Sequence, residues 1–228
     1  MTNSQRDTES AQRTAADALA ANAASLCEAT RLAWQWHGRQ TRKGKPSPYL
    51  SHLLQVQGLV IDHGGDTEQA IAALLHDALE DAESPDERAQ RESEIGARFG
   101  SGVVRIVLDC TDTTPEEAGL RKGPWRVRKQ RYIAQLASAP ASSLLVPACD
   151  KHHNLSDLIG DLRHEGTGSF SRFNAGPTEQ LWYFESLIEI FRPSVPPRLA
   201  SDLEGLLSEL DRFVHADPPL RNPSIETS

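Results

Sequence analysis

Leu75-His76-Asp77-Ala78-Leu79-Glu80-Asp81 closes an apolar run, Ala70-Ile71-Ala72-Ala73-Leu74-Leu75, that is hydrophobic on every side and reads as one buried helix. Gly64-Gly65 breaks the chain before it, Asp66 suits the N-cap and Glu68 falls in the first turn, so the pattern predicts a helix over Thr67–Asp81. On such a helix His76 and Glu80 share a face, as do Asp77 and Asp81, because residues four apart stack. Burying an imidazole and three carboxylates without partners costs on the order of several kcal/mol per charge. Either the acids are solvated at a helix end, or the cluster holds a cation with acid/base groups beside it. The choice turns on whether the chain supplies more ligands elsewhere.

Working toward the N-terminus, Pro48 to Asp62 reads as a second helix, and His52 sits on it among Leu50, Leu53, Leu54, Val56 and Leu59. A lone histidine there is more often a satisfied boundary residue than a ligand. The preceding loop, Gly38 to Pro48, carries Arg39, Arg42, Lys43 and Lys45. No acid occurs from Ala29 to Ile61, although the chain as a whole is acidic. From charge alone this is a solvated loop; the asymmetry also suits a small anionic ligand such as phosphate groups. Thr8 to Gly38 is Ala-rich and helical, with Ala15, Leu19, Ala23, Leu26, Ala29, Ala33 and Trp36 as its stripe and Asn22 interrupting it.

Toward the C-terminus, Glu83 to Glu92 reads as a charged connection and Ser93 to Phe99 as a short helix stopped by Gly100. Val103 to Leu108 is β-branched, yet every neighbour is helical and no partner strand is visible, so a buried helix is expected. Thr111 to Pro124 reads as a polar loop. Trp125 to Ala137 is a basic amphipathic helix whose charges are by default a solvated face, with a role near a phosphate pocket as the minority reading. Leu144 to Cys149 is apolar and runs straight into Asp150-Lys151-His152-His153-Asn154, so Asp150 needs a partner; Pro147 is expected to end, kink or start a helix. Gly166 to Gly176 reads as a mobile loop and Thr178 to Phe191 as a helix. The expected organisation is a disordered 1–8, one domain over 9–192, a Pro-marked linker and last helix over 193–215, and a disordered tail from 216 to 228.

Composition narrows the function. The chain has 228 residues and a formal net charge of -8, which disfavours a nucleic-acid partner. Cys27, Cys110 and Cys149 make no disulfide framework, which fits the reducing cytoplasm. No apolar run is long enough for a membrane span, and Met1 to Arg13 lacks the core of a secretory signal.

His52, the pair His76-Asp77, and Asp150 thus come from three separate apolar segments. Two imidazoles and two carboxylates suit a divalent first-row ion with open positions; by ligand type manganese, iron, zinc and nickel all fit. Such an ion acidifies a water and polarises a phosphoryl oxygen. Glu80 and Asp81 are then free of ligand duty and suit general acid/base work. With the cationic loop to neutralise phosphates, the constellation is compatible with metal-assisted phosphoester hydrolysis.

Five ordered motifs between about Ala29 and Phe191 resemble the HD superfamily, and within it the small alarmone hydrolases of the RelA/SpoT type. Trp36-His37-Gly38-Arg39-Gln40-Thr41-Arg42-Lys43 with Pro48-Tyr49-Leu50-Ser51-His52 resembles the family's opening motif. Leu75 to Asp81 resembles its HD…ED motif, Glu94-Ile95 with Phe99-Gly100 and Val103-Val104 the following segment, Lys129 to Leu136 its basic helix, and Asp150 to Leu155 its Asp-x-x-His-Asn motif. The resemblance implies an all-α HD-domain fold of roughly ten helices around a single metal site. It implies a metal set of His52, His76, Asp77 and Asp150 carrying Mn2+, and a catalytic pair Glu80 and Asp81. It implies substrate contacts from Arg42, Lys43, Tyr49 and Asn154. The implied activity removes the 3′-pyrophosphate of guanosine tetra- or pentaphosphate. An adenosine alarmone stays open, because Leu53 stands in place of a frequent proline, Ser156 in place of a frequent arginine, and the loop from Lys43 to Tyr49 is one residue longer. Another HD phosphohydrolase, such as a nucleotidase, and a non-catalytic alarmone-binding protein are the alternatives.

Overall fold

The computed structural model describes residues 17–120 and 123–215. The termini expected to be disordered, 1–8 and 216–228, lie outside the described residues. Nine helices longer than one turn are named here among the described residues: α1 Ala23–His37, α2 Leu50–Asp62, α3 Thr67–Leu75, α4 Pro85–Phe99, α5 Ser101–Cys110, α6 Trp125–Ser138, α7 Ala141–Glu165, α8 Pro177–Phe191 and α9 Pro197–His215. Two 3₁₀ segments, Pro115–Glu117 and Gly166–Arg172, join them. Among the described residues the only β-type pairing is an isolated bridge between Thr41 and Pro48. The all-α expectation is met.

The hub is α3. Every residue from Ala70 to Leu75 is buried, and the helix packs against α1, α2, α5 and α7 at once. An element apolar all round has no solvent face, which is why it sits at the centre. Its start follows the sequence: the Asp66 side chain accepts from Gln69 N–H, and Gln69 reciprocates in a capping box. The second axis is the long α7, which packs on α2, α3, α5, α8 and α9. Leu199, Leu203 and Leu210 of α9 join the same core cluster as Leu74 and Leu75. The helix expected over Thr8 to Gly38 begins outside the described residues and is broken at Asn22: residues 17–21 are helical, a turn follows, and α1 begins at Ala23.

Several expectations are corrected. The charged connection Glu83 to Glu92 is the first half of α4, which starts at Pro85. Ser84 caps it by accepting from Glu87 N–H, Pro85 occupies the first turn, and Asp86 and Glu87 oppose the helix dipole. Its inward face carries Arg88 and Arg91, both buried, so no apolar stripe betrays it. Pro147 neither ends nor starts a helix: α7 runs through it. The lost bond costs about 3 kcal/mol, offset because every residue from Ser143 to Asp150 is buried in the core. The stretch from Gly166 is not a loose loop, since it forms a 3₁₀ segment that buries Ser169 and Phe170. Val103 to Leu108 is helical, as expected, within α5. Among the described residues no helix is long and apolar enough to cross a membrane.

Candidate active site

The predicted helix over Thr67–Asp81 stops at Leu75, and His76 to Asp81 lie in turns. Two side chains explain the stop. His76 Nδ1 bonds the Ala73 carbonyl at 2.7 Å, the acceptor that a continuing helix would give to Asp77 N–H. Arg91 of α4 donates to the Ala78 carbonyl at 2.8 Å. Ala78 N–H closes back on Leu75, three residues away, and Asp81 N–H on Asp77. The motif therefore wraps around the end of α3 instead of running along one face.

Three helices deliver the candidate ligands. His52 comes from α2, His76 and Asp77 from the end of α3, and Asp150 from α7. His52, His76 and Asp150 are buried and offer donor atoms all within 4.8 Å of one another. His52 Nε2 is 3.2 Å from Asp150 Oδ1, and His76 Nε2 is 3.6 Å from it. Asp77 borders this trio, its Oδ2 3.1 Å from His76 Nε2 and 3.7 Å from His52 Nε2.

The electrostatics ask for a cation. Burial opposes charge on Asp150, but Lys151, His52 and His76 outweigh it and hold the carboxyl well below the usual range. Burial likewise opposes charge on Asp77, and His76 and His52 outweigh it. Burial would lower His76, yet Asp77 and Asp150 raise it well above an ordinary imidazole. A proton there does what a divalent ion does better, and metal binding displaces such a proton. The donors fit that role. His76 Nδ1 is committed to a backbone carbonyl, while its buried Nε2 faces the carboxylates without a hydrogen bond.

Tyr49 joins this centre to a cavity. Its hydroxyl donates to Asp77 Oδ2 at 2.5 Å, and its ring stands 5.5 Å from that of His52. Beyond it opens a cavity of about 320 Å³ with six cationic side chains on its walls: Arg42, Lys43, Lys45, Lys129, Lys151 and Arg172. Tyr49, Trp125, Phe173 and Tyr183 add aromatic surface. All four residues expected to bind substrate, Arg42, Lys43, Tyr49 and Asn154, line this cavity; Ser156 does not. The loop carrying them is not simply solvated. Gln40 accepts from Tyr49 N–H and Ser47 from Arg42 N–H, closing a small hairpin. Arg42 donates to Asn154 Oδ1 at 2.9 Å, and Lys45 pairs with Asp157 and Asp161 at 2.6 and 2.7 Å. Gly44 turns the loop at φ +73°, where an added Cβ would stand 3.1 Å from Arg172.

Glu80 and Asp81 flank the centre on the side of α1 and α6. Asp81 Oδ2 lies 3.7 Å from His37 Nδ1 and Glu80 Oε1 4.0 Å from Arg128 Nη1. Two charges of α6 depart from the solvated face, whereas Arg126 and Arg131 keep to it: Arg128 is buried against Asp112, and Lys129 Nζ bonds the same carboxylate at 2.6 Å while lining the cavity. Sequence reasoning missed three participants. Lys151 touches Asp150 and lines the cavity, Asp112 anchors two cations, and His153 bonds His52. Burial, together with His52 and Arg42, pushes His153 down to about 4, so it is a neutral imidazole. Lys151 and His153 lie inside the Asp150–Leu155 motif, whose Asp-x-x-His-Asn pattern already singles out His153, whereas Asp112 carries no such local signal.

The HD domain family model matches residues 29–172. A guanosine-3′,5′-bis(diphosphate) 3′-pyrophosphohydrolase, MESH1, of Xenopus tropicalis is 33% identical over 143 residues, 61% of this chain and 73% of the relative. The Danio rerio MESH1 is 31% identical over 139 residues, 59% and 69% of the two chains. Among solved structures, a metazoan ortholog of SpoT described as hydrolysing ppGpp superposes with a TM-score of 0.61. It is 23% identical and covers 83% of this chain and 94% of its own. That likeness is one of fold.

Proposed function

The chain belongs to the HD-domain family, and from that premise we propose that it is a metal-dependent hydrolase removing the 3′-pyrophosphate of guanosine tetra- or pentaphosphate, leaving GDP or GTP. One observation carries the reading: the cation-seeking cluster and the cationic cavity are continuous through α7. Asp150 belongs to the cluster, while Lys151 and Asn154, one and four residues on, bond it and line the cavity. Two relatives that align over 143 and 139 residues are named for this reaction.

His52, His76, Asp77 and Asp150 would hold the ion, and we assign Mn2+. A nitrogen and carboxylate set without thiolate suits such a borderline ion. Bound there, the ion supplies Lewis-acid polarisation of a phosphoryl oxygen and acidifies a water. The remaining work belongs to the chain. Arg42, Lys43 and Lys129 neutralise phosphate charge, and their donors fix the pyrophosphate's orientation. Tyr49, its hydroxyl held protonated by burial and by Asp77, keeps that carboxylate oriented. In the hydrolysis, water adds to the phosphorus carried by the ribose 3′-oxygen and the bond between them breaks. One proton leaves the water and one reaches the 3′-oxygen. Glu80 and Asp81 are the acid/base pair for these transfers. The aromatic walls exclude bulk water and give the purine a stacking surface. The enzyme works in the cytoplasm on a small nucleotide, its three cysteines unpaired.

The test is turnover of the full chain with Mn2+ on guanosine tetraphosphate and its adenosine counterpart, with products resolved by chromatography. GDP and pyrophosphate are expected from the guanosine substrate. Folded, metal-loaded protein that releases inorganic phosphate instead, or nothing, refutes the assignment.

A further inference from the structure

His153 has no task in that scheme, yet it hydrogen-bonds the candidate ligand His52 from outside the cluster. Its Nδ1 lies 2.9 Å from Nδ1 of His52, with ring centroids 4.8 Å apart. Two ring nitrogens at that separation are bonded only if one carries a hydrogen and the other offers a lone pair. The other nitrogen of His52, Nε2, faces Asp150 Oδ1 at 3.2 Å and Asp77 Oδ2 at 3.7 Å. To offer a lone pair to a cation between those carboxylates, Nε2 must be bare, which puts the hydrogen of the neutral ring on Nδ1. The acceptor is then His153 Nδ1.

We propose that His153 is a positioning residue of the metal centre, accepting from His52 Nδ1–H and so fixing the tautomer and ring plane that present Nε2 to the ion. The inference rests on the metal-centre reading above. The two imidazoles of the cluster are oriented in different ways. His76 is set by a backbone carbonyl, Ala73 O, which can only accept and which no substitution removes. His52 is set by a side chain on another helix, so its orientation depends on α2 and α7 being docked. Helix geometry selects the second of the two adjacent histidines. His153 lies three residues from Asp150 on the same face of α7, and Asn154, four residues on, bonds Asp150 itself. His152 points elsewhere, within electrostatic reach of Asp202 and His63.

The test separates acceptor from bulk. His153→Asn keeps an acceptor oxygen near the position of Nδ1, and His153→Leu keeps volume without an acceptor. His153→Ala serves if the Leu variant does not fold. Mn2+ affinity is measured on the full chain without nucleotide at fixed pH, by calorimetry or by the spin-resonance signal of free Mn2+. Apo-protein melting curves accompany it. The Leu variant is expected to bind Mn2+ about 10- to 100-fold more weakly, the usual effect of losing a ligand's hydrogen-bond partner, and the Asn variant to stay close to the parent, with similar melting of all three. A Leu variant that binds like the parent, or an Asn variant as weak as Leu, overturns the inference alone. A parent that binds no better than His76→Ala overturns the metal-centre reading and this inference with it.

Discussion

Replacing Asp112 by Asn tests how the cavity's cations are held. Asp112 is 4% exposed and accepts from both Arg128 and Lys129. Burial opposes its ionisation, but Lys129 and Arg128 outweigh that and hold the carboxyl at about 2 instead of 3.8. At about 1.4 kcal/mol for each pKa unit, the ionised form gains roughly 2 kcal/mol in the folded protein. Asn keeps the shape and removes the charge, so Asp112→Asn is expected to lose about 2 kcal/mol of unfolding free energy at pH 7, more if the two cations stay unpaired. The pH dependence has a definite sign. A carboxyl depressed on folding contributes stability that is complete above its unfolded value near 3.8 and is lost as pH falls toward 2. The gap between parent and variant should therefore be constant above pH 5 and close as pH drops below 4. Lys129 also lines the cavity, so KM for the nucleotide should rise while metal affinity holds. Urea unfolding followed by circular dichroism from pH 3 to pH 7 measures the first part and steady-state kinetics the second. A loss below about 0.5 kcal/mol, or a gap that widens on acidification, would refute the account of Asp112 as the counter-ion.

Glu80→Gln and Asp81→Asn are each expected to lower kcat by about 10²- to 10⁴-fold while Mn2+ affinity stays near the parent's, because the proposed scheme gives them protons to carry and not the ion; loss of Mn2+ binding in a calorimetric titration would reassign them as ligands. Ser84→Ala removes the N-cap of α4 and should cost about 1 kcal/mol in urea unfolding. Gly44→Ala meets both a positive φ and the Arg172 side chain, so the cationic hairpin should distort and KM should rise more than kcat falls; unchanged KM would show that the hairpin does not hold substrate. Leu75→Ala at the fully buried end of α3 should cost about 2–5 kcal/mol, read from the shift in urea midpoint.

Much of the fold was legible because burial writes a period into a chain. The all-apolar Ala70–Leu75 announced a central helix, Asp66 its start, and Gly100 a stop. The candidate ligands His52, His76 and Asp150 were legible for the opposite reason: each is a polar residue where the pattern demands an apolar one. The first half of α4 was illegible because its buried face is arginine. Arg88 reaches the Thr113 carbonyl and Arg91 that of Ala78, so the helix packs through hydrogen bonds that leave no hydrophobic stripe. Pro147 misled because a single missing bond is a local cost, and the burial that outweighs it is supplied by distant segments.

The helical class, the identity of the ligand-type residues and the acidic pair beside them are written in the chain, since they follow from local period and residue chemistry. Helix docking decided that His76 to Asp81 wraps around the end of α3. It also decided that Lys129 and Lys151 face the same cavity as Arg42, and that His153, not His152, meets His52. Each of those outcomes depends on a donor or acceptor brought from another segment: the Arg91 guanidinium on Ala78, the Asp112 carboxylate on Lys129, the imidazole of α7 against that of α2. Such partners lie 13, 17 and 101 residues away along the chain, and only the docking of separate segments sets them at hydrogen-bonding distance.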